Sequence, residues 1–580
     1  MRLHPASAVV LLLLALAAPP AQAVQATGEP AWDPPKSSVD TGFRDPGYPA
    51  SSAVRRDWDA LPATALAALR GENARPGRKA LRIGIERAPD DGSDGSVPAL
   101  QWRTAPGGGQ TARVTLHSPG AAALRVALDL SGLPDGSELR FAGADGRPGA
   151  PVGAAEIAAL AVQQPLYWSP VTEGDTQVVE LHLPPGASAR WLRLAIPRLS
   201  HLVVAPGTDF DRAKIGESGA CEIDTRCIAN PIVAFTNARN AVARMVYQRA
   251  GGSFLCTGSL LNDTDAATQV PYFFTAAHCF TSQAEANTLT TFWFYEASGC
   301  GTNILDASAR QVGGGAQVLF ASVASDVLFL RLNNPPPAGA FFLGWNAQPV
   351  AAGTEFIAIH HPAGDVKKVS AGRTTGVGPS NLASGSFIKA GYTDGTTEGG
   401  SSGCGLLTLQ DGEFFLRGGL LGGNASCANT GAIGNPGNSD DYSRLDLAFP
   451  SLRDFLQPAT NPPPSGTDFT GLWFNPAQSG WGLVVMRGAS GAYSVTVFHY
   501  DQDSTPTWYL AAGALNGSTF SQPLSAFSGP WFGIAPFNPA QVASRTAGNL
   551  TLAFTSGTTA NLTFTADGRT VSTALNRLAF

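Results

Sequence analysis

Glu398-Gly399-Gly400-Ser401-Ser402-Gly403-Cys404 decides how the rest of this chain is read. Alone, a Gly-Ser-Ser-Gly run is a flexible loop. It gains meaning from two stretches upstream, Phe274-Thr275-Ala276-Ala277-His278-Cys279 and Ala324-Ser325-Asp326-Val327-Leu328-Phe329-Leu330-Arg331-Leu332. A serine hydroxyl is a weak nucleophile near neutrality and needs a base, which in turn needs a group to orient it. An imidazole titrates in the right range to be that base. The order His278, Asp326, Ser402 supplies base, orienting carboxylate and nucleophile. Glycines around the serine let the backbone turn tightly enough to aim N–H groups at a developing oxyanion, and the donors assigned are the N–H groups of Gly400 and Ser402.

Working outward, the N-terminus has the pattern of an export signal. Arg2 is a positive n-region, Val9 to Ala18 an apolar h-region too short to span a bilayer, and Ala21-Gln22-Ala23 a small-x-small cleavage site. Residues 1–23 are therefore read as a signal peptide, with the mature protein secreted and without a membrane span. Export alters the meaning of cysteine. All seven Cys lie between Cys221 and Cys427, which points to disulfides within one domain and one thiol left over.

Only 14% of residues are charged and 44% are apolar, so the chain can bury cores; the net charge of −6, without a long basic run, gives nucleic acid no electrostatic footprint. Abundant Gly and Pro (66 and 43) favour short strands joined by turns. Residues 24–75 read as a loosely ordered leader with a short helix near Ala60–Arg70. Residues 80–205 carry alternating runs such as Gln177-Val178-Val179-Glu180-Leu181-His182-Leu183 and read as a small β-sandwich. Residues 215–457 form the Cys-bearing unit, closed by a short helix over Pro450–Leu456. Residues 458–466 are a stiff Pro-rich linker. Residues 467–580, without Cys or Lys, alternate aromatic and small residues and read as a further β-unit, itself a small sandwich.

Several stretches of the Cys-bearing unit resemble the bacterial lysyl endopeptidases, a branch of the chymotrypsin-like serine peptidases. They are Cys221-Glu222-Ile223-Asp224-Thr225-Arg226-Cys227, Cys256-Thr257-Gly258-Ser259-Leu260-Leu261-Asn262, Ile357-Ala358-Ile359-His360-His361-Pro362, Thr397 to Gly403, and Ser439-Asp440-Asp441-Tyr442. The resemblance covers about 215–457. It implies a mostly β fold with a chymotrypsin-like double β-barrel, preceded by a β-sandwich propeptide (24–214) and followed by a small β-rich domain. It implies the disulfides Cys221–Cys427, Cys227–Cys300 and Cys256–Cys279, a pairing that spacing alone does not select. Cys404 stands where the family usually has Ser and is read as a small buried filler. Asp440 corresponds to the carboxylate at the base of the primary pocket, which implies cleavage after Lys, with Arg left open; the alternative is that Asp440 and Asp441 are exposed turn residues.

Two departures bear on selectivity: the family's glycine-flanked His is Leu421 here, and no Trp lies between Val369 and Gly395. His360 and His361 lack an acidic or Cys cluster at ligand spacing and are read as structural. Lys214-Ile215 lies close to where the family's mature chain begins, so the enzyme could release itself there. The residue before the nucleophile is Ser401, not the Asp that would bind a new N-terminus, so activation is expected to work by removal of an inhibitory or chaperoning domain within residues 24–214; the alternative is that 80–205 is a permanent accessory domain. No metal or cofactor is expected. The expected partners are protein or peptide substrates, met as a monomer, with a cell-surface or glycan contact through Trp473, Trp481, Trp508 and Tyr509 set against their being core residues. The competing reading of the whole chain is a cell-surface adhesion protein with an inactive protease-like domain.

Overall fold

The computed structural model describes residues 24–32, 41–74, 77–78, 80–204, 218–458 and 468–578, apart from 98, 162–165, 266–267, 303, 479, 489–490, 517, 532, 534–537 and 556–557. Residues 1–23, read above as a signal peptide, Lys214-Ile215 and nearly all of the Pro-rich stretch 458–466 lie outside these residues. The chain divides into two compact units at Pro458. Among the described residues no helix is long and apolar enough to cross a membrane.

The first unit begins with the expected sandwich. One sheet orders the strands Val152–Gly153, Glu138–Ala142, Thr176–Leu183, Gln110–His117 and Val54–Asp57; the other orders Tyr167–Trp168, Ala123–Ser131, Arg193–Leu202 and Gly84–Arg87. Alternation explains the layer between them: Ala112, Val114 and Leu116 from one sheet and Leu124, Val126 and Leu128 from the other are fully buried.

Two β-barrels follow. The first orders Arg310–Val312, Thr290–Trp293, Val242–Arg249, Gly252–Leu261, Tyr272–Thr275, Val327–Leu332 and Ala316–Ser322. The second runs Glu413–Gly423, Gly405–Gln410, Glu355–His360, Lys368–Pro379, Ser386–Asp394 and Asp440–Tyr442, and the last strand pairs back onto the first, closing the ring. The sandwich shares a core with the first barrel: Leu81, Ile83, Leu202 and Val204 pack with Val246, Leu255 and Phe292. Polar contacts reinforce it, with Arg125 Nη2 donating to the Thr288 carbonyl (2.5 Å) and Ser200 and Ser253 hydroxyls 2.7 Å apart.

Three local expectations need correction. The leader is ordered in part: Gln25–Ala26 pairs with Gly344–Asn346, and Glu29–Pro30 with Phe341–Phe342. Two-residue strands held by backbone bonds carry too little alternation to be seen in sequence. The leader helix spans Ala63–Asn73, ending later than read. The closing helix is Leu445–Leu456, with Pro450 inside it rather than at its start. Pro450 lacks the N–H its turn would use, and a buried face of Leu445, Ala448, Phe449, Leu452 and Leu456 outweighs that loss.

Among the described residues the second unit is a single antiparallel sheet of nine strands, not a two-sheet sandwich. Strands Pro506–Gly513 and Thr519–Ser528 also pair, at Leu510 and Ser525, so the sheet curls upon itself. Its interior is filled by side chains including Trp473, Val495, Tyr509, Phe520 and Leu552. The aromatic set of the sequence reading is thereby divided: Trp473 and Tyr509 are core, while Trp508 is exposed and stacks on Phe527 at 5.3 Å.

Candidate active site

The three candidate groups come from three places and meet between the barrels. His278 follows the strand Tyr272–Thr275, Asp326 immediately precedes Val327–Leu332, and Ser402 precedes Gly405–Gln410. His278 Nδ1 lies 2.8 Å from Asp326 Oδ2, and His278 Nε2 lies 2.7 Å from Ser402 Oγ. The His278 backbone N–H also donates to Asp326 Oδ1 at 2.8 Å, so one carboxylate fixes both the ring and the peptide that carries it. Asp326 has φ +54°, a left-handed conformation that Asp tolerates better than most residues. All three residues are buried.

The serine loop is held by close backbone approach. Gly400 has φ +101°, and a Cβ there would lie 2.5 Å from the His361 carbonyl oxygen; Gly403 has φ +83°, and a Cβ would lie 2.1 Å from Thr275 Oγ1. Only glycine fits either position without displacing backbone. Within the loop the N–H groups of Ser401, Gly403 and Cys404 bond to Glu398, Leu420 and Ser401 carbonyls. The N–H groups of Gly400 and Ser402 take no acceptor among the described residues. These are the two donors assigned from the sequence.

Asp440 and Asp441 lie on a buried strand, Asp440–Tyr442, which removes the exposed-turn alternative. The Asp440 carboxylate accepts from Thr397 Oγ1 (2.5 Å), the Tyr392 hydroxyl (3.1 Å) and the Ala425 N–H (3.3 Å). Tyr392 and Tyr442 hydroxyls are 2.8 Å apart; burial first, with Cys404 and Asp440 nearby, holds both phenols well above their ordinary range, so they remain donors. Asp441 instead pairs with Lys389 at 2.7 Å.

The structure contains the disulfides Cys221–Cys427, Cys227–Cys300 and Cys256–Cys279, with Cys404 buried outside any of them. Cys256–Cys279 joins the strand Gly252–Leu261 to the turn holding His278. His360 and His361 are fully buried, and no cluster suited to a metal occurs among the described residues. His360 Nδ1 lies 2.8 Å from Ser401 Oγ and its Nε2 2.9 Å from Ser370 Oγ. Ser401 Oγ in turn accepts from the Glu398 N–H at 3.1 Å, so His360 steadies the loop that carries the nucleophile.

Thr257 was quoted in the sequence without a role. Its N–H donates to the Ser402 carbonyl (2.8 Å), its hydroxyl donates to the Gly400 carbonyl (2.9 Å) and accepts from the His361 N–H (3.2 Å), and its carbonyl accepts from Thr275 Oγ1 (2.9 Å). One threonine thus ties the serine loop to both the His278 strand and the second barrel. A Thr beside a half-cystine gives no such signal in sequence.

Comparison with known proteins agrees with this geometry. Residues 215–443 match the lysyl endopeptidase C-terminal domain and residues 57–203 the lysyl endopeptidase N-terminal domain. The lysyl endopeptidase of Pseudomonas aeruginosa is 38% identical over 460 residues, 76% of this chain and 97% of that protein. The chain belongs to the lysyl endopeptidase family. It is a serine endopeptidase acting on peptide substrates. The family match extends over the sandwich, beyond the 215–457 reach of the sequence resemblance. The secreted RxLR effector protein 73 of Plasmopara viticola is 26% identical over 203 residues, 33% of this chain and 48% of that protein. Among solved structures, the active form of the Rv3671c protease of M. tuberculosis aligns at 18% identity and a TM-score of 0.27, over 42% of this chain and 92% of that one.

Of the two departures within the family, Leu421 is buried beside Leu420, whose backbone bonds to Gly403 and Cys404. No Trp occupies 369–395, yet that stretch supplies Tyr392, which touches Asp440 directly.

Proposed function

We propose that the protein is a secreted endopeptidase that cuts on the carboxyl side of lysine through an acyl-enzyme. Ser402 Oγ attacks the scissile carbonyl and His278 Nε2 takes its proton. Asp326 holds the ring in the tautomer that leaves Nε2 free to accept, and it stabilises the imidazolium that forms. The Gly400 and Ser402 N–H groups receive the oxyanion, and His278 returns the proton to the leaving amine. Water then hydrolyses the ester by the same route. The reaction requires no cofactor. The observation that carries this reading is the unbroken Ser402–His278–Asp326 hydrogen-bond chain at 2.7 and 2.8 Å.

Asp440 supports the lysine preference. A buried carboxylate favours a substrate ammonium and is left poorly compensated by a neutral side chain, which gives discrimination of several kcal/mol. The signal-like N-terminus and three disulfides support secretion. Residues 24–214 act as a prosequence released after Lys214. The test is hydrolysis of matched peptides containing Lys, Arg or Phe by the processed protein. Lys should be preferred and Ser402→Ala should abolish turnover; equal rates on all three peptides defeat the assignment of Asp440, and activity retained by Ser402→Ala defeats the mechanism.

A further inference from the structure

The two edges that flank Ser402 are already occupied by this chain's own leader. On one side, Gly77–Arg78 pairs antiparallel with Gly422–Gly423, Arg78 opposite Gly422 and Gly77 opposite Gly423. Gly423 pairs on its other side with Asp440, the proposed pocket carboxylate, and Leu420, two residues before Gly422, bonds to Gly403 and Cys404 of the serine loop. On the other side, Leu81–Arg82 pairs antiparallel with Phe254–Leu255. Leu255 lies two residues from Thr257, whose N–H bonds to the Ser402 carbonyl, and packs against Gly400. The Leu81 side chain lies over Gly399, 3.2 Å from where a Cβ would stand there.

A peptide substrate adds a strand to a sheet edge through its backbone while one side chain enters a pocket. The leader is paired in that manner at two successive places in the chain, first along an edge beside Asp440 and then along an edge beside the oxyanion loop. Only two residues, Lys79 and Ala80, separate the paired positions Arg78 and Leu81. Three residue steps of chain reach at most about 10 Å, so the two paired ends lie close together. The first of those two residues is a lysine.

The far end of this strand is clamped. Asn73, the last residue of the leader helix, donates its side-chain amide to the Arg82 carbonyl (2.8 Å) and accepts the Arg82 N–H (3.0 Å). Glu72 pairs with the Arg82 guanidinium at 2.8 Å, and the Ile83 N–H continues the ladder to the Ser253 carbonyl at 2.8 Å. Ser402 accordingly has no exposed surface.

We propose that the leader strands Gly77–Arg78 and Leu81–Arg82 occupy the two substrate-binding edges in the manner of a substrate, keep the precursor latent, and that Ser402 cuts the chain between them at the Lys79–Ala80 bond. This rests on the lysine reading above. In the step, the Ser402 Oγ to Lys79 carbonyl-carbon bond forms and the Lys79–Ala80 C–N bond breaks. The hydroxyl proton passes through His278 to the amino group of Ala80. Water, losing a proton to His278, then hydrolyses the Lys79 ester, and that proton returns to Ser402.

The test follows the purified full-length precursor by N-terminal sequencing and intact mass, beside Ser402→Ala and Lys79→Gln precursors. The wild type should yield a chain beginning Ala80-Leu81-Arg82-Ile83, at a rate unchanged over a tenfold range of protein concentration. Ser402→Ala should yield none. Lys79→Gln should lack that end and gain activity at least tenfold more slowly. A synthetic peptide of residues 74–86, given to fully processed enzyme, should be cut after Lys79 and should compete with a small Lys ester; this arm does not depend on folding of the variant. A wild-type precursor that becomes active without any Ala80 end, or a peptide neither cut nor competing, overturns the inference. Cleavage of unrelated Lys peptides by the processed enzyme is measured in parallel, so failure there indicts the lysine preference and not the leader.

Discussion

Asp326→Asn separates a catalytic role for the carboxylate from a structural one, because the two atoms it offers His278 are not equivalent. Asp326 Oδ1 accepts the His278 backbone N–H and Oδ2 accepts ring Nδ1–H, both at 2.8 Å. The backbone N–H can only donate, so the Asn oxygen is held in the Oδ1 place and its NH2 group must face Nδ1. Nδ1 then has to accept, and the ring proton moves to Nε2, 2.7 Å from Ser402 Oγ. An imidazole carrying a proton there cannot take another from the serine. Enforcing that wrong tautomer in a Ser-His-Asp triad costs about 10⁴ in kcat, or ~5.4 kcal/mol of barrier. Stability should change little, by about 1 kcal/mol, since Asn adopts φ +54° as readily as Asp and keeps the backbone bond. The measurement is kcat and KM on a Lys ester, with active sites titrated and thermal unfolding run on the same samples. A folded Asp326→Asn enzyme within tenfold of wild-type kcat refutes the reasoning. Asp326→Ala is the contrast: it should be equally slow but also lose about 2–3 kcal/mol of stability, as a buried N–H is orphaned and a Cβ without local hydrogen bonding is forced into the left-handed region.

Other perturbations follow from the same contacts. Asp440→Asn keeps the acceptor for Thr397 and Tyr392 but removes the charge; kcat/KM for Lys peptides should fall at least ~10²-fold while that for a neutral peptide holds, and an unchanged Lys-to-neutral ratio contradicts the pocket assignment. Thr257→Val deletes the hydroxyl linking Gly400 and His361 and should cost about 2 kcal/mol in denaturant unfolding, with kcat falling as the oxyanion donors loosen. Buried His201 of the sandwich is pushed down to about 4, by desolvation and by nearby Arg87, with Ser118 Oγ as its partner at 2.9 Å. Between pH 6.5 and 4 the unfolded chain therefore binds the proton that the folded chain refuses, so stability is lost as pH falls through that window. The precursor should lose about 2 kcal/mol from this group between pH 7 and 5, and a His201→Asn precursor whose urea midpoint shifts as much as wild type over that range rules the group out.

What the sequence made legible was chemistry carried by residue type and order; what it hid was geometry made by backbone. His278, Asp326 and Ser402 could be named because few other side chains do those jobs, and the sandwich strands because Val114, Leu116, Val126 and Leu128 alternate against a common layer. Nothing in residue type marks Thr257, whose four hydrogen bonds depend on where three separate segments happen to meet. Pro450 misled in the opposite sense: proline usually opens a helix, but a long buried face carried the helix through it. The leader gives the sharpest case. Gln25–Ala26 and Gly77–Arg78 have no hydrophobic pattern, because strands docked on another domain's edge are held by N–H and C=O groups that every residue possesses. A prosequence that blocked a protease in the proposed way would need little side-chain information beyond one residue suited to the pocket and a clamp on its far side. That is why Lys79 is ordinary as a letter in the sequence and acquires meaning only once Gly422 is seen paired with Arg78 and Leu255 with Leu81.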